Sequence, residues 1–142
     1  MIVGWKEWIK LPNLNINALI AKIDTGARTS SIHAEDISAY DDIVEFITSP
    51  IPTMPEYKVK CSANIIDKRR IRNSDGQSEV RFVIESELVL GPLTRRIQLT
   101  LNDRSKMSVR MLIGRQAFAD DILINPLESY LQEKLSYSIY TD

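Results

Sequence analysis

Asp24-Thr25-Gly26-Ala27 is the place in this sequence where residue types and spacing could do chemistry. A lone Asp at a strand end is ordinarily a turn former or a helix cap. This one follows an apolar run, Leu19 to Ile23, and precedes the hydroxyl of Thr25. Gly26 then lets the backbone approach a ligand or another chain closely. A loop of this kind can hold carboxylate oxygens toward a cleft. Hydrolysis of an amide by water needs an acid and a base together. Two carboxylates side by side cannot both ionise, so they share a proton and divide the two roles. The sequence holds no second Asp-Thr-Gly or Asp-Ser-Gly, and Asp75-Gly76 lacks the middle hydroxyl. A catalytic Asp24 would therefore have to meet Asp24 of a second copy across a two-fold axis.

The elements that must position this loop read as short strands. Val3, Trp5, Ile9 and Leu11 alternate with polar neighbours, interrupted by Glu7, and the run ends at Pro12. Ala18 to Ile23 is a second run, Thr29 to Ala34 opens a third and Ile43 to Ile47 is a fourth. Pro50, Pro52 and Pro55 exclude a central strand and mark a loop or insertion. Tyr57, Val59, Cys61 and Ala63 alternate again. Asn73-Ser74-Asp75-Gly76 is a turn before a long β-like run from Val80 to Leu90, and Gly91-Pro92 turns the chain into Arg96 to Leu101. Met111 to Gly114 is a further apolar run, Gln116 to Asp120 suits one helical turn, and Ile122 to Ile124 closes the pattern. Many short strands with turns between them predict a mainly β domain, a closed barrel or a sandwich. Residues 1–131 read as one domain and 132–142 as a loosely held polar tail.

Four blocks in this order resemble a known family. Asp24-Thr25-Gly26-Ala27 with the later Leu112-Ile113-Gly114-Arg115 is similar to the paired signature of retropepsins. The resemblance is closer to a bacterial and archaeal family of small retropepsin-like aspartic peptidase domains that carries the label ATP-dependent zinc protease. Its pattern is carried by Val3-Gly4-Trp5-Lys6-Glu7-Trp8, by Ala21 to Ala34 around Asp24, by Leu99-Thr100-Leu101-Asn102-Asp103-Arg104, and by Met111 to Ala117. The resemblance implies a closed acid-protease β barrel with one short helix opened by Arg115. It also implies Gly114 and Arg115 packed behind the Asp24 loop, a homodimer, and peptidase activity. Viral retropepsins carry an acidic residue two places after the glycine, which pairs with the arginine that opens the helix. Here that place is Arg28, so Arg115 needs another partner and Arg28 is expected to face substrate. The stretch from Glu35 to Tyr57 is extra relative to the viral domain.

The family label invites a search for zinc ligands. There is no His-Glu-x-x-His, and His33 is the only histidine. His33 with Glu35 or Asp36, Asp24 and Cys61 makes a zinc donor set on paper. The plainer reading makes His33 a strand residue with satisfied hydrogen bonds and Cys61 a small core hydrophobe, with no metal cofactor. No Gly-x-x-x-x-Gly-Lys-Ser/Thr loop is present, so any link to ATP would run through a partner, such as an ATP-using glutamate ligase.

Bulk properties leave these readings standing. Net charge is −1, 44% of residues are hydrophobic, and one cysteine excludes an intrachain disulfide. Apolar runs are too short to span a bilayer as a helix, and charges at Lys6 and Glu7 argue against an export signal, so a cytoplasmic location is expected without membrane partners. Between Tyr57 and Arg115 there are thirteen Lys and Arg against six Asp and Glu. Lys68-Arg69-Arg70, Arg72 and Arg81 flank the Asn73 to Gly76 turn, which in such a fold serves as a flap over the cleft. A basic flap favours an acidic or glutamate-tailed peptide. Trp5 and Trp8 lie elsewhere, so no base-stacking platform suggests nucleic acid. The expected site is thus Asp24, Thr25, Gly26 and Ala27 for catalysis, Arg28, Arg72, Asn73 and Gly76 for substrate, and Gly114 and Arg115 in support. A zinc-dependent peptidase and a non-catalytic peptide-binding module are the alternatives, the latter motivated by Arg28.

Overall fold

The computed structural model describes residues 1–72, 75–118 and 121–141, without the side chains of Ile71 and Arg72. Twelve strands run in chain order: β1 (Ile2–Val3), β2 (Lys6–Leu11), β3 (Ile16–Asp24), β4 (Ser30–His33), β5 (Glu35–Tyr40), β6 (Ile43–Thr48), β7 (Val59–Asn64), β8 (Asp67–Arg72), β9 (Ser78–Leu90), β10 (Leu93–Asn102), β11 (Met111–Gly114) and β12 (Leu123–Ile124). Short 3-10 turns occupy Pro12–Leu14, Arg115–Ala117 and Tyr137–Tyr140. No helix among the described residues is long and apolar enough to cross a membrane.

Six strands close on themselves in the order β10, β4, β11, β3, β2, β9 and back to β10. This is the mainly β closed barrel that the sequence and its resemblance predicted. Closure leaves the ring without free edges. Its interior is a single apolar core that includes Ile9, Leu11, Ile16, Leu19, Ile84 and Leu99. The hairpin from β9 to β10 pairs Leu90 with Leu93 around Gly91, whose left-handed φ of 55° favours glycine. Among the described residues β8 pairs with β9 alone, and the two form a hairpin that extends past the pairing of β9 with β10.

Two chain crossings matter for the site. β11 lies between β3, to which it is parallel, and β4, to which it is antiparallel. β4 in turn runs parallel to the end of β10, with Asn102 opposite His33. The extra segment after β4 folds as a separate three-stranded sheet, β5-β6-β7, with the proline-rich residues 49–56 as a loop between β6 and β7. β5 was not foreseen. Five of its six residues are exposed, so it carries no apolar alternation to read.

Three expectations need correction. Glu7 does not interrupt its strand: it is fully buried on the same face as Ile9 and Leu11. Its carboxylate accepts hydrogen bonds from the backbone N–H groups of Gly4 (2.7 Å), Leu131 (3.0 Å) and Gln132 (3.1 Å). The tail is not loosely held. Tyr137 packs edge-on against Trp8 at 4.8 Å, and the Tyr140 hydroxyl bonds both the N–H and the C=O of Ala18. The helical turn expected at Gln116 to Asp120 is a 3-10 turn one residue earlier, ended by extended Phe118.

Candidate active site

Asp24 is the last residue of β3, half-buried where the strand leaves the barrel wall. The loop curls back on itself. Gly26 N–H donates to Asp24 Oδ1 at 3.1 Å, and Ala27 N–H donates to the Asp24 carbonyl at 3.2 Å. A Cβ at Gly26 would sit 3.3 Å from that carboxylate oxygen, so glycine lets the amide close in. Thr25 and Gly26 are exposed, and Ala27 is half-buried.

β11 holds the loop from behind. Its parallel register sets Ile113 beside Ile23 and Gly114 beside Asp24. Gly114 N–H donates to the buried Ser30 Oγ at 3.0 Å. A side chain at Gly114 would meet backbone atoms of Thr29 at 2.6 and 2.7 Å, so only glycine fits. The next two amides continue the brace, Arg115 N–H to Ala27 C=O (2.8 Å) and Gln116 N–H to Arg28 C=O (3.1 Å). The missing partner of Arg115 is the loop backbone itself: its guanidinium donates to the carbonyls of Thr25 (3.4 Å) and Gly26 (3.3 Å). Both supporting residues named from sequence thus touch the loop.

The predicted substrate residues divide. Arg28 is exposed at the mouth of a cleft with Thr29, Arg69, Gln98 and Gln116. Gly76, with φ 86°, lies in the turn between β8 and β9. Asn73 and the Arg72 side chain lie outside what is described. Two further arginines, Arg69, read only as part of a basic flap, and Arg104, were not among the expected site residues. Arg69 on β8 donates to Thr29 Oγ1 at 3.3 Å across forty residues of chain, a contact that local pattern cannot announce. Arg104 is half-buried after β10. Burial pushes its guanidinium pKa down and Arg81 pushes the same way, while the Asp24 carboxylate opposes both. Its only sequence signal was membership of the Asn102-Asp103-Arg104 block.

The zinc donor set does not assemble among the described residues. His33 is fully buried with both ring nitrogens engaged: Nδ1 accepts from Arg104 N–H at 2.8 Å, and Nε2 bonds Glu35 Oε2 at 2.8 Å. An accepting Nδ1 puts the proton of the neutral ring on Nε2, so neither nitrogen offers a lone pair to a metal. Cys61 is buried, its Sγ directed at the Leu14 carbonyl at 3.5 Å, and burial pushes the thiol up to about 12. Among the described residues, His33, Glu35, Asp24 and Cys61 as placed do not form a zinc donor set.

A closed barrel carrying one Asp-Thr-Gly loop, braced by an apolar-apolar-Gly-Arg strand, defines a retropepsin-like domain. The family model described as "Retropepsin-like aspartic endopeptidase RimB" matches residues 2–135, and the chain belongs to this RimB-like family. It is 39% identical over 133 residues to a probable alpha-L-glutamate ligase of Shewanella pealeana, covering 91% of this chain and 29% of that protein. It is 43% identical over 129 residues to one of Desulfotalea psychrophila, covering 88% and 28%. The chain therefore spans less than a third of the length of these curated relatives. Among solved structures, a Legionella pneumophila protein of unknown function superimposes with a TM-score of 0.73 at 25% identity, over 93% of this chain and 98% of that one.

Proposed function

We propose that this chain is one half of a homodimeric aspartic peptidase acting on acidic or glutamate-tailed peptides. The observation that carries the reading is the Asp24 carboxylate. It is fixed by Gly26 N–H on one oxygen, half-buried at the end of β3, and supplied by the single Asp-Thr-Gly loop of the sequence. Two such loops across a two-fold axis place two carboxylates together, where one proton is shared. The ionised Asp24 takes a proton from water, which attacks the scissile carbonyl carbon. The protonated Asp24 donates to the carbonyl oxygen, and the proton taken from water passes to the leaving nitrogen. The Arg115 and Gly114 contacts hold the loop still through these steps.

The acidic substrate class draws support from the basic composition around the β8–β9 hairpin and from the relatives. In chains named probable alpha-L-glutamate ligase, a segment like this one occupies about 29% of the length. A domain joined to an enzyme that adds glutamates is suited to removing them, which makes such an ATP-using ligase the expected functional partner.

The test is cleavage of an acidic peptide library from acid to neutral pH, with and without EDTA, by the parent chain and by Asp24→Asn. Cleavage that survives EDTA and vanishes in the variant is the expected result. Turnover by Asp24→Asn at the parental rate would sink the reading. Loss with EDTA and recovery with zinc would replace it with metal chemistry.

A further inference from the structure

We infer that Arg28 and Arg69, with the wall formed by Thr29, Gln98 and Gln116, make a subsite for a substrate side-chain carboxylate beside the Asp24 loop. The inference rests on the peptidase reading for its occupant and on the cleft for its chemistry. Arg28, Thr29, Arg69, Gln98 and Gln116 line a cavity of about 460 Å³. A second hollow of about 260 Å³ shares Thr29, Gln98 and Gln116 with it. Neither is lined by an acidic residue.

The hydrogen bonding of Arg69 decides what the cleft offers. Its Nη1 donates to Thr29 Oγ1 (3.3 Å) and its Nη2 to Gln98 Oε1 (3.2 Å), while Nε meets Asp67 Oδ2 at 3.2 Å. The Gln98 carbonyl is thereby used as an acceptor, leaving its NH₂ to donate, and the Thr29 hydroxyl accepts with its own proton still available. Arg69 itself holds five N–H groups and spends three on these contacts. Arg28 adds a second guanidinium that forms no ion pair among the described residues. A cleft rich in donors and poor in acceptors fits a group that only accepts, and an ionised carboxylate is that group. Asp67, the carboxylate paired with Arg69, forms an exposed ion pair, which water screens.

Placement ties the cleft to the chemistry. The carbonyls of Ala27 and Arg28 are pinned by the amides of Arg115 and Gln116, the same two residues whose side chains face the Asp24 loop and the cleft. Arg69 stands on the first strand of the β8–β9 hairpin and bridges it to Thr29 and to β10 at Gln98. A peptide lying across Asp24 beneath that hairpin would set a side chain in the cleft.

The experiment measures binding and cleavage separately. Fluorescent peptides that differ only by Glu or Gln are titrated into the Asp24→Asn chain, read by anisotropy at low and high salt. The same pair is offered as substrate to the parent chain. The expected preference for Glu is about tenfold, the size of one charge-assisted hydrogen bond, and shrinks with salt. Arg69→Gln and Arg28→Gln each reduce that ratio. Gln98→Glu, an exposed isosteric change, abolishes it by placing an internal carboxylate on Arg69. Selective binding lost in these variants with no cleavage by the parent would keep the subsite and remove the peptidase reading. Cleavage whose Glu-to-Gln ratio ignores Arg69→Gln and Gln98→Glu would keep the peptidase and overturn the subsite. A parent chain without any Glu preference would overturn it as well.

Discussion

Glu7 and Asp24 sit on neighbouring strands of one sheet, and their surroundings are opposites. Glu7 is sealed from solvent and takes three backbone N–H groups, which tie β2 to the segment at Leu131 and Gln132. Gly4 makes the seal tight, since a Cβ there would fall 2.4 Å from the Glu128 carbonyl oxygen. Asp24 is half-exposed and receives one N–H, from Gly26. In the first region the backbone exhausts the carboxylate and the result is architecture. In the second the backbone holds the carboxylate with a single amide and leaves the rest of its acceptor capacity unused. Burial with full satisfaction marks a structural carboxylate; partial satisfaction on a braced loop leaves one available for the chemistry proposed above.

This contrast can be broken at either side. The largest effect is expected at Asp24→Asn, which keeps an acceptor for Gly26 N–H and removes the titrating group. Peptide cleavage should fall by about 10²- to 10⁴-fold, while the thermal melting curve stays where it was. Glu7→Gln should do the reverse. A side-chain amide cannot accept from all three N–H groups, so about 2–4 kcal/mol of stability is lost in urea titrations. Gly114→Ala tests the brace behind Asp24. Its methyl meets Thr29 backbone at 2.6 Å, costing about 1–3 kcal/mol by overpacking and displacing the Ala27 and Arg28 carbonyls, so activity should fall beyond what instability explains.

The smallest effect concerns pH. Glu35 is held below its ordinary carboxyl range by the hydrogen bond from Lys58, with burial opposing and the His33 hydrogen bond adding to the depression. A carboxyl depressed in the folded state adds stability above its unfolded pKa and loses it as pH falls through the folded value. Glu35→Gln should therefore cost about 1 kcal/mol or less near neutral pH and nothing once the parent carboxyl is protonated. Chemical denaturation of both chains along an acid series checks this.

Much of this was legible in residue types. The Asp24-Thr25-Gly26 loop, the long run ending at Leu90, the Gly91 turn and the apolar strand ending at Gly114 all announce themselves by local pattern. Glu7 was misread because hydrophobic alternation treats any charge as outward, and its three donors come from residues 3 to 125 positions away. Arg69 was seen only as part of a basic stretch, since its partners Thr29 and Gln98 are set by how the hairpin folds over the barrel. The grip of Tyr140 on Ala18 spans 122 positions and leaves no periodic trace.

The brace behind Asp24 also has a consequence in time. Ser30 and Gly114 are 84 positions apart, and the Arg115 contacts to Thr25 and Gly26 span 90 and 89. Pairings so distant are slow to form, because long loops must close before they are rewarded. During synthesis the Asp24 loop emerges long before the strand that shapes it. A nascent chain that has not yet made β11 carries Asp24 without its cradle, so the geometry of the loop arrives only when nearly the whole barrel does.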